Sequence, residues 1–257
     1  GNLTDVWVAT NGSDSSGDGS MVSPFLSLQR AVATPWDRLQ VWLMSGRYPA
    51  ANNARLQIGA GRVTVLRAVE GKEVELDLAH SGPFLSADTG ASIYLIGLRI
   101  LRASLPTAKI SSFLPSSSPF FVGSFLTALN TTTVVIDVCQ VADCVPPVFV
   151  SRNSDCQIID SFFLNHSVAQ KSSQPASFIS ATDDNGHSIF ALLNTSFSDA
   201  YIFISESEAP FEGAVFLSGF LSVEISDSAF SNISVTITDD SAQCYGALSV
   251  SNTADFT

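Results

Sequence analysis

The sequence has no lysine or arginine after residue 171. All 12 basic residues lie in residues 1–171, against 13 acids, while residues 172–257 carry 11 acids alone; the net charge of −12 therefore sits almost entirely in the second part. An acidic, base-free surface repels phosphate backbones and anionic membranes, so nucleic acid is excluded as a partner. No run of acids has the spacing of a dedicated calcium loop. No apolar run approaches the roughly 20 residues that span a bilayer, which excludes direct membrane insertion through a helix. The chain opens with GNLTD, without Met or a signal peptide, and reads as a processed, mature or excised segment.

Cysteine is also sparse. Cys139, Cys144, Cys156 and Cys244 form no CxxC pair and have no histidine at zinc spacing, so no metal site is expected and disulfides are the expected use. Three lie close in sequence. Cys244 is left to reach back along the fold, to pair with another chain or to stay free, and the three possible connectivities stay open. Catalytic signatures are missing as well: there is no Gly-x-Ser-x-Gly elbow, P-loop or His-Glu-x-x-His.

What fills the chain instead is 46% hydrophobic residues with 39 Ser and 16 Thr, against only 14% charged residues. Neutral hydroxyls thus replace surface charges in a β-rich composition. At 257 residues one elongated domain suffices. Asn-x-Ser/Thr occurs at Asn2, Asn11, Asn130, Asn165, Asn194 and Asn232, six of eleven asparagines, where this Ser/Thr content would produce about two to three by chance. The excess points to an extracellular glycoprotein, secreted or at the cell surface, with covalent N-glycans and no cofactor.

A repeat runs along the chain. VEISDSAFSNIS (223–234), QIIDSFFLNHS (157–167), ALLNTSFSDA (191–200) and VIDVCQVAD (135–143) share an alternating apolar run, a small polar step, and a large apolar residue two before Asn or Asp. Val141, Phe163, Phe197 and Phe230 hold the apolar place; Asp143, Asn165, Asp199 and Asn232 hold the polar one. A second piece recurs as FLSA at 84, FLTA at 125, VFVS at 148, FISA at 178, GAVFLS at 213 and GALSVS at 246. Such units cannot bury their own apolar face, so they must stack into a solenoid of parallel sheets with like residues in ladders.

The amino-terminal part fits the same plan. Phe25, Leu28, Ala31 and Val32 share one face of a short amphipathic helix suited to cap the first coil, so residues 1–38 read as strand, loop and cap and 39–257 as stacked coils. LQVWLMSGRY alternates Leu39, Val41 and Leu43, and VTVLRAVEGKEVELDLA gives two strands around Gly71. The Ser/Pro-rich stretch near 104–120 matches no repeat and reads as an inserted loop. The chain stops within a repeat, at GALSVSNTADFT, so continuation or assembly beyond 257 is expected, as is self-association end to end or laterally.

These residues bear a family likeness. NGSDSSGDGSMVSPFLSLQRAV, VWLMSGRY and LIGLRI resemble the opening coils of right-handed parallel β-helix proteins of the pectin-lyase-like superfamily, which implies an all-β, right-handed parallel β-helix with a short amino-terminal capping helix. SAFSNIS and SAQCYGALSVS resemble the repeats of polymorphic outer-membrane proteins and similar extracellular β-helix adhesins, with one Gly before Ala where those carry two.

Polygalacturonase-type hydrolases of that superfamily use Asp residues, a Gly-His-Gly and an Arg-x-Lys, which invites comparison with ATDDNGHS (181–188). Here Asp183, Asp184 and His187 crowd into one short segment with no basic residue downstream, whereas inverting hydrolysis needs two carboxyls roughly 6.5–9.5 Å apart with water between. Asp-Asp-Asn-Gly is what a sharp turn requires, with Gly186 free to adopt positive φ. His80, His166 and His187 lie on separate segments and read as turn or surface residues, although Asp160 and His166 lie on one coil. Phe163, Phe197 and Phe230 read as core rather than as a sugar platform.

The sequence therefore points to a non-enzymatic extracellular glycoprotein, a structural or adhesive β-helix serving as stalk, adhesin or filament subunit, with no catalytic residue and with a carbohydrate or cell-surface partner. The competing reading is a carbohydrate-active lyase or hydrolase, which would need acids from at least two coils and a base, most plausibly in the first half. A glycan-binding module would need exposed aromatics.

Overall fold

The computed structural model describes residues 2–104, 124–145, 148–171, 178–206, 215–237, 248–251, 253 and 255–256. The inserted stretch near 104–120, apart from Ser104, and Cys244 lie outside the described residues.

The chain opens with β1 (Thr4–Val8) and the helix α1 (Leu28–Val32). Then come β2 (Arg38–Leu43), β3 (Gly46–Pro49) and β4 (Leu56–Ile58), then β5 (Val63–Ala68), β6 (Val74–Asp77) and β7 (Leu85–Ala87). The next two turns are β8 (Ser92–Ile96), β9 (Arg99–Leu101), β10 (Leu126–Leu129) and β11 (Thr133–Asp137), β12 (Gln140–Ala142), β13 (Phe149–Arg152). A fifth contains β14 (Asp155–Ile159), β15 (Phe162–Leu164), β16 (Ser167–Lys171) and β17 (Ile179–Thr182). The last are β18 (Ile189–Leu193), β19 (Ser196–Glu206), β20 (Val215–Ser218), then β21 (Ser222–Ser226), β22 (Ala229–Ile237), β23 (Leu248–Ser251) and β24 (Asp255–Phe256).

Each turn visits the same three sheets in the same order. The first sheet runs β1-β2-β5-β8-β11-β14-β18-β21-β24, the second β3-β6-β9-β12-β15-β19-β16 with β22 on β19, and the third β4-β7-β10-β13-β17-β20-β23. Every pairing is parallel, for instance Val134 with Cys156 and Val141 with Phe163. The chain is a parallel β-helix, as its repeat predicts. The recurring FLSA-type pieces supply the third sheet and the VEIS-type runs the first.

Period-2 alternation places one set of side chains inside. Leu39, Val41 and Leu43 stack below Leu66, Ile93, Leu95, Val134, Ile136, Ile158 and Leu192, all buried. Phe163, Phe197 and Phe230 form a face-to-face column with centroids 4.8 and 5.1 Å apart, and Phe84 stacks on Phe125 at 6.0 Å. A solenoid repeats identical backbone at the strand spacing, so equal rings at equivalent positions meet in offset stacks, worth about 1 kcal/mol each beyond area burial. At the amino-terminal end α1 buries Leu28, Ala31 and Val32 against the first coil, with Ser27 accepting from the Arg30 N–H as N-cap and Phe25 buried beside it. Among the described residues no helix is long and apolar enough to cross a membrane.

Candidate functional site

The corners between sheets carry the sequons. A coil turns from one strand to the next through a residue with positive φ, and three columns of such residues run along the helix. Gly97, Val138, Asp160, Asn194 and Asp227 turn the chain from the first sheet into the second, with φ between 45° and 68°. Arg102, Asp143 and Asn165 follow strands of the second sheet, and Asp199 and Asn232 hold the same place as bends within the longer β19 and β22, all with φ between 50° and 56°. Asn130 and Asn153 follow the third, at 53° and 52°. Asn and Asp tolerate this left-handed region because their short polar side chains bond locally.

Asn130, Asn165, Asn194 and Asn232 are all exposed at these corners, as are Asn2 and Asn11 in the amino-terminal part. Three of the side chains meet a carboxylate of the previous coil: Asn165 Nδ2 donates to Asp143, Asn194 Nδ2 to Asp160 at 2.6 Å, and Asn232 Nδ2 to Asp199 at 2.7 Å. Asn130 Oδ1 instead accepts from Asn153 Nδ2 at 2.8 Å. The residue after each of these asparagines turns inward: Thr131, His166 and Thr195 are buried, and Ile233 is partly buried against the core. The sequon asparagines thus point out while the core is filled immediately behind them.

The cysteines correct the sequence reading. Cys139, Cys144 and Cys156 are free and buried rather than disulfide-bonded. They occupy three different inward rows. Cys156 stacks between Val134 and Phe190 inside the first sheet, and Cys139 stands in the corner row whose later members are Ser161, Thr195 and Ser228. There Cys139 Sγ lies 3.3 Å from the Asp137 carbonyl, just as the Ser161, Thr195 and Ser228 hydroxyls donate to the carbonyl two residues earlier. Burial pushes all three thiols up to about 12, so they behave as small core residues rather than nucleophiles.

His166 is a second correction, because it is buried, not a surface residue. Its Nδ1 accepts from the Cys144 N–H at 3.2 Å, its ring packs 6.4 Å from Phe163 and 5.9 Å from Phe178, and Nε2 has no hydrogen-bond partner. Burial lowers its pKa to about 4, so the ring is neutral at pH 7. His80 and His187 are exposed.

ATDDNGHS forms the turn between the third and first sheets. The Asp183 carboxylate is buried and accepts the N–H groups of Asn185 at 3.0 Å, His187 at 2.7 Å and Ser188 at 2.6 Å. Burial works against its charge, but the Ser188, Asn185 and His187 N–H groups outweigh it and hold the pKa below the usual range. Gly219 passes so close that a Cβ there would lie 2.0 Å from the Asp183 carbonyl oxygen. Asp184 is exposed and pairs with Arg152 at 2.5 Å. Asp183 organises the turn, and its lone pairs are taken.

One charged cluster escaped the sequence reading. On the outer face of the second sheet, Glu75 and Asp77 of β6 sit between Arg47 of β3 and Arg99 and Arg102 from β9 and the corner beyond it. Glu75 pairs with Arg47 at 3.1 Å and Arg99 at 2.9 Å; Asp77, only 5% exposed, pairs with Arg47 and Arg102 and accepts the Ala79 N–H at 3.1 Å. The Arg102 guanidinium leads in holding Asp77 well below the usual carboxylate range against its burial, and Asp77 in turn raises Arg102. Charged residues at alternate positions of VELD and just past RIL were the available signal, but only the coil register places Arg47 and Arg102 on the same carboxylate.

The acids here come from one strand, not two coils. Both are saturated by arginine, which stabilises the carboxylate and makes a poor proton donor, and an arginine raised by its partner makes a poor base. Among the described residues no group of three or more His, Cys, Asp or Glu side chains is arranged to hold a metal ion.

No family model and no curated protein matches the chain. A solved structure titled rhamnogalacturonan lyase is similar in shape, with a TM-score of 0.43 and 12% sequence identity over 91% of this chain and 66% of the lyase chain. So distant a likeness bears on neither substrate nor chemistry.

Proposed function

We propose that this protein is a non-enzymatic, extracellular, glycan-bearing β-helix whose role is extension, association and surface display, as in a stalk, adhesin or filament subunit. The observation that carries the reading is the placement of Asn130, Asn165, Asn194 and Asn232 at exposed corners of the coils. Acceptors scattered by chance through Ser/Thr-rich sequence would fall on inward rows as well. Asn165 and Asn232 share one corner column, so their glycans project along one ridge, with Asn194 on a second. The stacked Phe column runs along the core of these coils and supports the reading of an extended scaffold. Glycopeptide mapping of the protein secreted from eukaryotic cells tests this directly: occupancy of Asn165, Asn194 and Asn232 is expected, and wholly unmodified asparagines would remove the basis for display.

The competing carbohydrate-active reading draws on the Arg47, Glu75, Asp77, Arg99 and Arg102 cluster, which unites three coils on one face. Incubation with acidic polysaccharides and measurement of new reducing ends or unsaturated products separates the two. Product formation abolished by Asp77→Asn would favour the enzyme.

A further inference from the structure

The outer face of the nine-stranded sheet is built unlike the other surfaces. Its outward rows mix apolar side chains, Trp7, Trp42, Tyr94, Ile96, Val135 and Ile159 among them, with Ser, Thr, Gln and charged residues. Trp7 stacks on Trp42 with centroids 5.5 Å apart, and the Arg67 guanidinium lies 4.5 Å from the Trp42 centroid. The rings therefore spend their faces on one another and offer edges outward, which does not suit them to stack on sugars. Arg67 Nε is buried beside this column without an acceptor. The substantial packing of these strands is with their sheet neighbours and, for β1, with α1, so no described element lies across the face. None of the six sequons falls on its strands.

Charge along this face is polarised. The amino-terminal strands present Arg38 and Arg67 with Asp5, whereas the strands from β11 onward present Asp137, Asp155, Glu224 and Asp255 and no base. We infer that this face is a lateral interface for a second copy of the chain, packed antiparallel about a two-fold axis over β11. Such an axis brings β2 over β21 and β5 over β18, since β11 is the fifth of nine strands. Arg38 then approaches Glu224 and Asp255, Arg67 lies over Leu193 with Glu224 the nearest acid on the neighbouring strand, and at the centre Val135 meets itself with the two copies of Asp137 facing each other beside it. Parallel packing in register would instead set the acids of one copy against those of the other. A two-fold contact uses each complementary pair twice.

The size is adequate. Nine strands at about 4.8 Å spacing and about five residues of 3.3 Å each cover roughly 700 Å² in projection. With side chains standing out from the sheet, the accessible area comes near the roughly 800 Å² per partner of a standard interface.

This inference rests on the association part of the proposed function and names its surface. Sedimentation velocity over a concentration series, with circular dichroism to verify folding, tests it on the intact chain. Wild type forms a dimer, and Val135→Asp, at a partly exposed position that leaves the core intact, abolishes it. Arg38→Glu or Glu224→Arg alone weakens association about tenfold, because each swap turns attraction into repulsion at two symmetry-related places, and the double reversal restores it. A wild type that stays monomeric, a dimer indifferent to Val135→Asp, or a double reversal that fails to restore affinity would each overturn the antiparallel interface. Association through another face would leave the proposed function standing while removing this surface, whereas unoccupied sequons would do the reverse.

Discussion

Acidification should weaken this fold through His166 before the carboxylates with lowered pKa, Asp77 and Asp183, take up protons. The imidazole is buried against Phe163 and Phe178, its Nδ1 is already an acceptor for the Cys144 N–H, and its Nε2 faces no partner, so a second proton has nowhere favourable to go. Its pKa is about 4 in the fold against about 6.5 in the unfolded chain. Above pH 6.5 both states are neutral and His166 contributes no pH dependence. As pH falls below 6.5 the unfolded chain takes up the proton and the folded one does not, so stability drops by about 1.4 kcal/mol per pH unit. The loss levels off below pH 4 at roughly 3 kcal/mol. Asp77 and Asp183 carry lowered pKa values, so their contributions are present above about pH 4 and disappear only below it; Asp137, raised by burial and by Asp160, acts in the opposite direction, its protonation relieving the fold as pH falls, so the difference between wild type and a His166 variant isolates the imidazole in the window from 6.5 to 4. Urea unfolding at a series of pH values measures this. His166→Asn keeps an acceptor for the Cys144 N–H and keeps the sequon, and it should flatten the curve across that window. An unchanged slope in His166→Asn would refute the assignment.

Val138 is the one β-branched residue at its corner, with φ of 52° and 57% exposure, in a column otherwise filled by Gly97, Asp160, Asn194 and Asp227. Val138→Asn should raise stability by about 1 kcal/mol, seen as a higher urea midpoint at unchanged m-value, because the left-handed conformation costs an L-residue with a branched Cβ about 1–2 kcal/mol. Asp183→Ala strips the acceptor from three backbone N–H groups and should cost about 3 kcal/mol, whereas Asp184→Ala, breaking only an exposed pair with Arg152, should cost under about 1 kcal/mol by the same assay. Cys139, Cys144 and Cys156 should resist iodoacetamide in the native protein and react fully in denaturant; mass spectrometry reads the difference, and rapid native labelling would contradict their burial.

The sequence by itself determined the repeat and therefore the fold. Alternation in VEIS, QIID and ALLN marks one buried face per strand, units too small to stand alone must stack, and Val141, Phe163, Phe197 and Phe230 do fall in register. It also determined that ATDDNGHS is a turn, since Asp and Asn followed by Gly satisfy a tight bend locally, and that six asparagines carry the glycan-acceptor pattern. What only the tertiary structure decided depends on which coil lies beside which. The arginine clamp on Asp77 draws on residues 25 to 30 positions away, and coil length varies, with 22 residues between Asp143 and Asn165 but 34 between Asp160 and Asn194, so no fixed spacing reveals such neighbours. The free state of three closely spaced cysteines was hidden for the same reason. Nearness along the chain suggested pairing, but in a solenoid each inward position belongs to a different row, and the rows, not the chain, set what a side chain touches. His166 follows one residue behind an exposed Asn165, and only the left-handed corner between them turns one outward and the other into the core.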